Sequence, residues 1–134
     1  MALNSLKSSV IAVAFAGTLA AAAVAQVPDL SLLAGLKSGG WVLKVRGSDE
    51  APRKICLGDR SQLLHPEHVS TRCSQYVIED TPNDLRVSYK CGALGHGVTS
   101  IHRETNNLVQ IKSQGILRGA PFSVAYEARY TGAC

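Results

Sequence analysis

The stretch "RCSQYVIEDTPNDLRVSYKCG", Arg72 to Gly92, places a cysteine near each end of a segment whose middle is Thr-Pro-Asn-Asp. Pro82 cannot donate to a sheet ladder, and Thr-Pro-Asn-Asp is turn chemistry, so the chain is expected to reverse there. After the turn, Leu85, Val87, Tyr89 and Cys91 alternate with Arg86, Ser88 and Lys90. A period of two is the mark of a half-buried strand. Before the turn the pattern is less regular, because Tyr76 and Ile78 are out of phase with Cys73 and Val77. The stretch therefore reads as an antiparallel hairpin. A loop of three or five residues centred on Pro82 sets Cys73 directly opposite Cys91, at a separation a disulfide can span.

The rest of the chain extends this pattern. "WVLKVRG" (Trp41–Gly47), "RKICLG" (Arg53–Gly58), "HGVTSIHRE" (His96–Glu104), "LVQIKSQGILRG" (Leu108–Gly119) and "FSVAYEARY" (Phe122–Tyr130) read as strands. In the last of them Phe122, Val124, Tyr126, Ala128 and Tyr130 share a face. The links are short and rich in turn residues, as in a meander. "LSLLAGLKSG" (Leu30–Gly39) has room for a short helix, and "DRSQLLHPEH" for one helical turn over 59–64, capped by Asp59 and ended before Pro66. The expected fold is all-β: an antiparallel meander of six or seven strands, forming a strongly curved sheet or small open barrel, with one short helix and two disulfides.

Compartment follows from the other end of the chain. Lys7 precedes an uncharged run of small and apolar residues, Val10 to Ala25, which closes on Ala23-Val24-Ala25. A basic start, an apolar stretch and an A-x-A end predict a signal peptide over residues 1–25, with a single domain from Gln26 to Cys134. The run is short of the ~20 apolar residues of a spanning helix, and Gly17 and Thr18 interrupt it. Export agrees with the cysteines. All four, Cys56, Cys73, Cys91 and Cys134, fall after residue 25, and an even number in a small exported domain predicts disulfides. With Cys73 and Cys91 paired by the hairpin, Cys56 and Cys134 pair by elimination. The expected location is the periplasm or outside the cell, with no transmembrane segment once the leader is removed.

Composition excludes several functions. The chain has 134 residues, a net charge of +4 and a pI near 9.0. Its basic residues are scattered and do not interleave with aromatics, so no nucleic-acid platform is expected. Weak attraction to anionic envelope surfaces is compatible with the charge. No Gly-x-Ser-x-Gly elbow occurs, and "CGALGHG" (Cys91–Gly97) lacks the Lys-Ser/Thr of a phosphate loop. Its glycines fit a bulge or tight turn. No catalytic constellation and no cofactor are expected.

The strongest chemical candidate is "HPEH". His65 and His68 would bind a transition metal if the segment curled, and Cys56 and Cys73 would complete a mixed thiolate–imidazole set in place of the disulfides. His96 and His102 share a strand face but lie ~20 Å apart along an extended strand, too far for one ion. Two classes of function follow. One is a non-catalytic binding or envelope-associated module, whose curved sheet offers an apolar concavity to a small hydrophobic ligand or envelope component. The other is a metal-handling protein or enzyme using His65 and His68.

The order of segments resembles the small secreted bacterial family catalogued as domain of unknown function 3617. The resembling features are Gly40-Trp41 opening a strand, Cys56-Leu57 before a short helical segment, the Cys-containing hairpin, a Gly-rich strand and a closing Gly132-Ala133-Cys134. Three positions depart from the family pattern. Ala133 stands where an acidic residue is usual, "CLGDR" replaces Cys-Leu-Thr-Pro-Glu, and Val42 follows the tryptophan. The resemblance implies an exported, disulfide-bonded β domain and assigns no catalytic residue.

Overall fold

The computed structural model describes residues 30–68 and 72–134; the expected signal peptide over 1–25 lies outside them. The alternation read in the sequence becomes seven strands. They are β1 (Gly39–Val45), β2 (Arg53–Leu57), β3 (Ser74–Asp80), β4 (Asp84–Lys90), β5 (Gly95–Thr105), β6 (Leu108–Leu117) and β7 (Ala120–Gly132). All form one antiparallel sheet in the order β2-β1-β7-β6-β5-β4-β3. Strands β3 to β7 are a meander, and the β1–β2 hairpin joins it by pairing β1 with β7.

The expected strong curvature or barrel does not occur: the sheet is open, neither closed nor strongly curled. The reason is how its apolar side is covered. A sheet with one apolar face must bury it, by closing on itself or by acquiring a second layer. Here β2 and β3 sit at opposite edges, so the chain between them has to travel the width of the sheet. That passage and the leader before β1 supply the layer. Helix α1 (Ser31–Ala34), Leu36 and a 3-10 turn over Arg60–Leu64 bring Leu32, Leu33, Leu63 and Leu64 onto the face. They pack with Trp41, Leu43, Leu57, Leu85, Val87, Ile101, Val109, Ile111 and Ala128 in one core. The apolar face of the sheet is filled by this packed core.

The short helical elements depart from expectation in detail. The α-helix is at Ser31–Ala34, and the segment expected to be a helical turn over 59–64 is the 3-10 turn. Asp59 caps it, accepting a 2.9 Å bond from the Ser61 amide. Asp80 plays the corresponding part for α1, accepting from the Ser31 amide at 2.9 Å.

Cys73 is bonded to Cys91 and Cys56 to Cys134, with Cα separations of 4.2 and 5.8 Å. The loop between Cys73 and Cys91 is not the expected odd-numbered one. Asp80 pairs with Leu85, leaving Thr81 to Asp84 between them, and Glu79 pairs with Arg86. Carried onward, that register would place Cys73 one position away from Cys91. A bulge at Ile78 absorbs one residue, Val77 meets Val87, and the cysteines come opposite. The same bulge takes Ile78 out of the alternation, while Tyr76, which precedes it, lies on the open face opposite Ser88.

Candidate functional site: the uncovered face of the sheet

The HPEH segment ends against the covered face. His68 is buried, 1% exposed, between Tyr89 and Phe122, with ring centroids 5.2 and 5.7 Å away. Its Nε2 lies 3.1 Å from the Ile116 carbonyl. A carbonyl only accepts, so Nε2 carries the donated proton. Nδ1 then accepts from the Tyr89 hydroxyl, at 3.2 Å. Tyr89 in turn lies 3.4 Å from Ser113, and Ser113 lies 2.9 Å from Thr99. Every member of this buried chain has a partner, the condition under which a polar network is tolerated in a core. Burial raises the Tyr89 pKa above the usual phenol value.

The neighbours of His68 serve the same anchoring. The His65 ring stacks obliquely at 6.0 Å from Tyr89, and desolvation holds its pKa below the ordinary 6.5. Glu67 accepts a short hydrogen bond from the Tyr126 hydroxyl. Burial, reinforced by that bond, pushes the Tyr126 pKa up to about 12. Arg53 donates to the Pro66 carbonyl at 3.2 Å and stands over the Tyr126 ring at 5.4 Å. The structure therefore brings His65 and His68 to one place. It spends the two ring nitrogens of His68 on Ile116 and Tyr89. Among the described residues no group of three His, Cys, Asp or Glu side chains is placed to hold a metal. Cys56 and Cys73 are taken by separate disulfides. His96 and His102 are both exposed, and His102 pairs with Asp84 at 2.7 Å.

Among the described residues the opposite face of the sheet has no covering layer, and its registers line up mainly polar side chains in cross-strand rows. One row is Arg86, Ser100, Lys112 and Ala125, across β4 to β7. The next is Ser88, Val98, Gln114 and Ser123, and the third is Lys90, His96, Ile116 and Pro121. Neighbouring strands are ~4.8 Å apart, so Arg86 and Lys112, two strands apart, stand about 10 Å from each other with only Ser100 between. Long side chains flanking small ones leave troughs. One, of about 460 Å³, lies along Arg86, Ser100, Lys112, Gln114 and Ser123. A second, of about 490 Å³, continues from it past Lys90, His96 and Phe122.

Gly97 and Gly115 are register partners in the floor of the second trough. An added Cβ at Gly97 would lie 2.5 Å from the Tyr89 oxygen. The glycine pair is what admits Tyr89 to the network below.

No carboxylate lines either trough. The ion pairs among the described residues are His102–Asp84 and Arg129–Glu127, so none of Arg86, Lys90 and Lys112 is held in one. The carboxylates of this face stand outside the troughs, Glu79 across from Arg86 and Asp84 and Glu127 in the row beyond Lys112. The phase of Arg86, Ser88 and Lys90 is visible in the sequence. Their alignment with Lys112 and His96 is not, because it depends on the registers between β4, β5 and β6.

The fold and this face define a class: a single-sheet, disulfide-stapled all-β protein with one packed face and one open face whose troughs are lined by Arg86, Lys90 and Lys112. The chain matches no family model, no curated protein and no solved structure.

Proposed function

We propose that the protein is an exported, non-catalytic binding module, and that the uncovered face of its sheet docks an anionic component of the cell envelope. One observation carries this reading: Arg86, Lys112 and Lys90 stand on one open surface whose troughs contain no carboxylate. Cations spaced along a flat sheet suit repeated phosphate or carboxylate groups, either as lipid headgroups or as a soluble polymer, and an open face admits ligands of indefinite length. The two disulfides agree with an oxidising compartment.

The test is binding of the disulfide-bonded protein to vesicles of anionic phospholipid, of zwitterionic phospholipid, and to soluble polyphosphate. Binding to anionic vesicles or to polyphosphate is expected, weakening with added salt as exposed charges are screened. Arg86→Gln with Lys112→Gln should weaken it, while Lys54→Gln, on the edge strand β2, should not. Vesicle binding without polyphosphate binding assigns a headgroup; the reverse assigns a polymer. Equal affinity for zwitterionic vesicles, or an unchanged double variant, overturns the proposal.

A second reading, a metal-handling protein or enzyme at His65 and His68, draws on the His65 Nδ1, which is buried without a hydrogen-bond partner among the described residues. It requires a metal to reach that atom. Zinc and copper titrations on wild type and on His65→Ala/His68→Ala would establish it by stoichiometric binding lost in the variant.

A further inference from the structure

Strand β3 extends the sheet past the layer that covers it. Six of its seven residues are exposed and only Gln75 is half-buried. Three consecutive large apolar side chains are exposed there, Tyr76 at 71%, Val77 at 36% and Ile78 at 50%. Burial does not hold this strand in place; the ladder to β4 and the Cys73–Cys91 disulfide do. Among the described residues its other side has no neighbouring strand. The opposite edge is built differently. There β2 has only five residues, follows Pro52 and exposes Lys54, the features that blunt an edge against pairing. A pinned edge that exposes Tyr76, Val77 and Ile78 and is interrupted only at the Ile78 bulge contrasts with the shorter, Pro- and Lys-blunted edge at the other end.

We propose that β3 is an interface with a second copy of this chain, paired antiparallel about a two-fold axis at Tyr76. Side chains that oppose one another across an antiparallel pair share a face, so a symmetric pairing must match residues of like phase. With the axis at Tyr76, the two tyrosines face each other and each Gln75 meets the partner's Val77. The same pairing carries Arg72 to the Glu79–Asp80 end of the other copy, twice. Arg72, Glu79 and Asp80 are all exposed, and neither Arg72 nor Glu79 has an ion pair in the described chain. Charge complementarity thus favours a second copy, and with this register, over an unrelated strand. The bulge at Ile78 ends the regular pairing, which keeps the contact to one short segment and one closed dimer.

Sedimentation velocity and light scattering over a concentration series test the proposal. A concentration-dependent dimer is expected. Val77→Lys, which places a charge on the strand, should leave a monomer with an unchanged circular dichroism spectrum. Arg72→Glu should weaken the dimer at least ~10-fold through like-charge opposition, and adding Glu79→Arg should restore it. Asp80 is left intact because it caps α1. A monomer at every concentration overturns the proposal, as does a dimer that neither Val77→Lys nor Arg72→Glu alters. Capture of an unrelated extended peptide by a strictly monomeric protein would also overturn it.

Discussion

Gly97 shows how a single residue's meaning depends on what faces it. Glycine inside a strand is ordinarily worse than alanine by about 0.5–1 kcal/mol, and Gly97 has no positive φ to excuse it. Yet an added Cβ would meet the Tyr89 oxygen at 2.5 Å, and Tyr89 Cζ and the Gln114 carbonyl at 2.7 Å. The steric cost exceeds the gain in propensity. Gly97→Ala should therefore destabilise the protein by at least ~2 kcal/mol, the scale of overpacking in a core, as read by denaturant unfolding. Tyr89→Phe removes one of the three contacts and leaves the other two, so it should rescue Gly97→Ala only in part. Alone, Tyr89→Phe takes a hydrogen-bond partner from His68 and Ser113 and should cost about 1–2 kcal/mol. Full rescue in the double variant would mean that the hydroxyl is the only obstacle. None of this was legible in "CGALGHG", which suggests a turn or bulge. The turn is there, over Gly92–Leu94 with Gly92 and Gly95 at positive φ, but Gly97 is glycine for the sake of a tyrosine eight positions back.

At the scale of elements, alternation was a sound guide wherever a strand has one covered face. It placed Leu85, Val87, Tyr89 and Cys91 together, and Tyr126 with Ala128, all buried. It failed at β3, where every residue but Gln75 is exposed and a bulge at Ile78 interrupts the register. It was also silent on the chain from Gly58 to His68, because a passage across a sheet leaves no periodic trace. That passage has its own pH signature. Hydrogen bonds from Ser61 hold the Asp59 pKa below 3.8, and desolvation holds that of His65 below 6.5. For both groups the folded pKa lies under the unfolded one, so folding disfavours the protonated form. The stability each supports is present above its unfolded pKa and is lost as pH falls through the folded value. Stability should thus begin to fall below about pH 6.5 through His65, and fall further below 3.8 through Asp59. Thermal unfolding across this range should show the upper step removed in His65→Gln and the lower one in Asp59→Asn. A step near pH 6 that survives His65→Gln would assign it elsewhere.

At the scale of the whole molecule, the two disulfides do different work, and the pair Gly39-Gly40 explains how the larger one is made. Cys73–Cys91 closes 18 residues of a hairpin whose strands are already adjacent; Cys56–Cys134 closes 78. In the chain-entropy model these are worth about 3 and 4–5 kcal/mol. The longer bridge does not join neighbouring strands. Cys56 is on β2 and Cys134 follows β7, and β1 lies between them, pairing through Gly40 with both Cys56 and Gly132. Strands two places apart are about 10 Å from each other, yet the two cysteine Cα atoms are 5.8 Å apart. The chain after Gly132 must therefore leave the sheet plane and cross the start of β1. It finds room because residues 39 and 40 have no side chains. A Cβ at Gly39 would lie 2.5 Å from the Gly132 carbonyl, at a φ of +135 that disfavours any other residue. The sequence showed the glycines before Trp41 and the cysteine after Gly132 but not that one passes over the other. Replacing both Cys56 and Cys134 by Ser should lower stability by about 4 kcal/mol, measured by urea unfolding as a lower midpoint with a steeper slope, because the unbridged unfolded chain is less compact and exposes more surface. Gly39→Ala should act on the same bridge from the other side. On oxidative refolding it should leave Cys56 and Cys134 open to alkylation while Cys73 and Cys91 stay protected, as resolved by mass mapping. Complete bridging in Gly39→Ala would show that the C-terminal segment reaches Cys56 by a route that does not need the glycine.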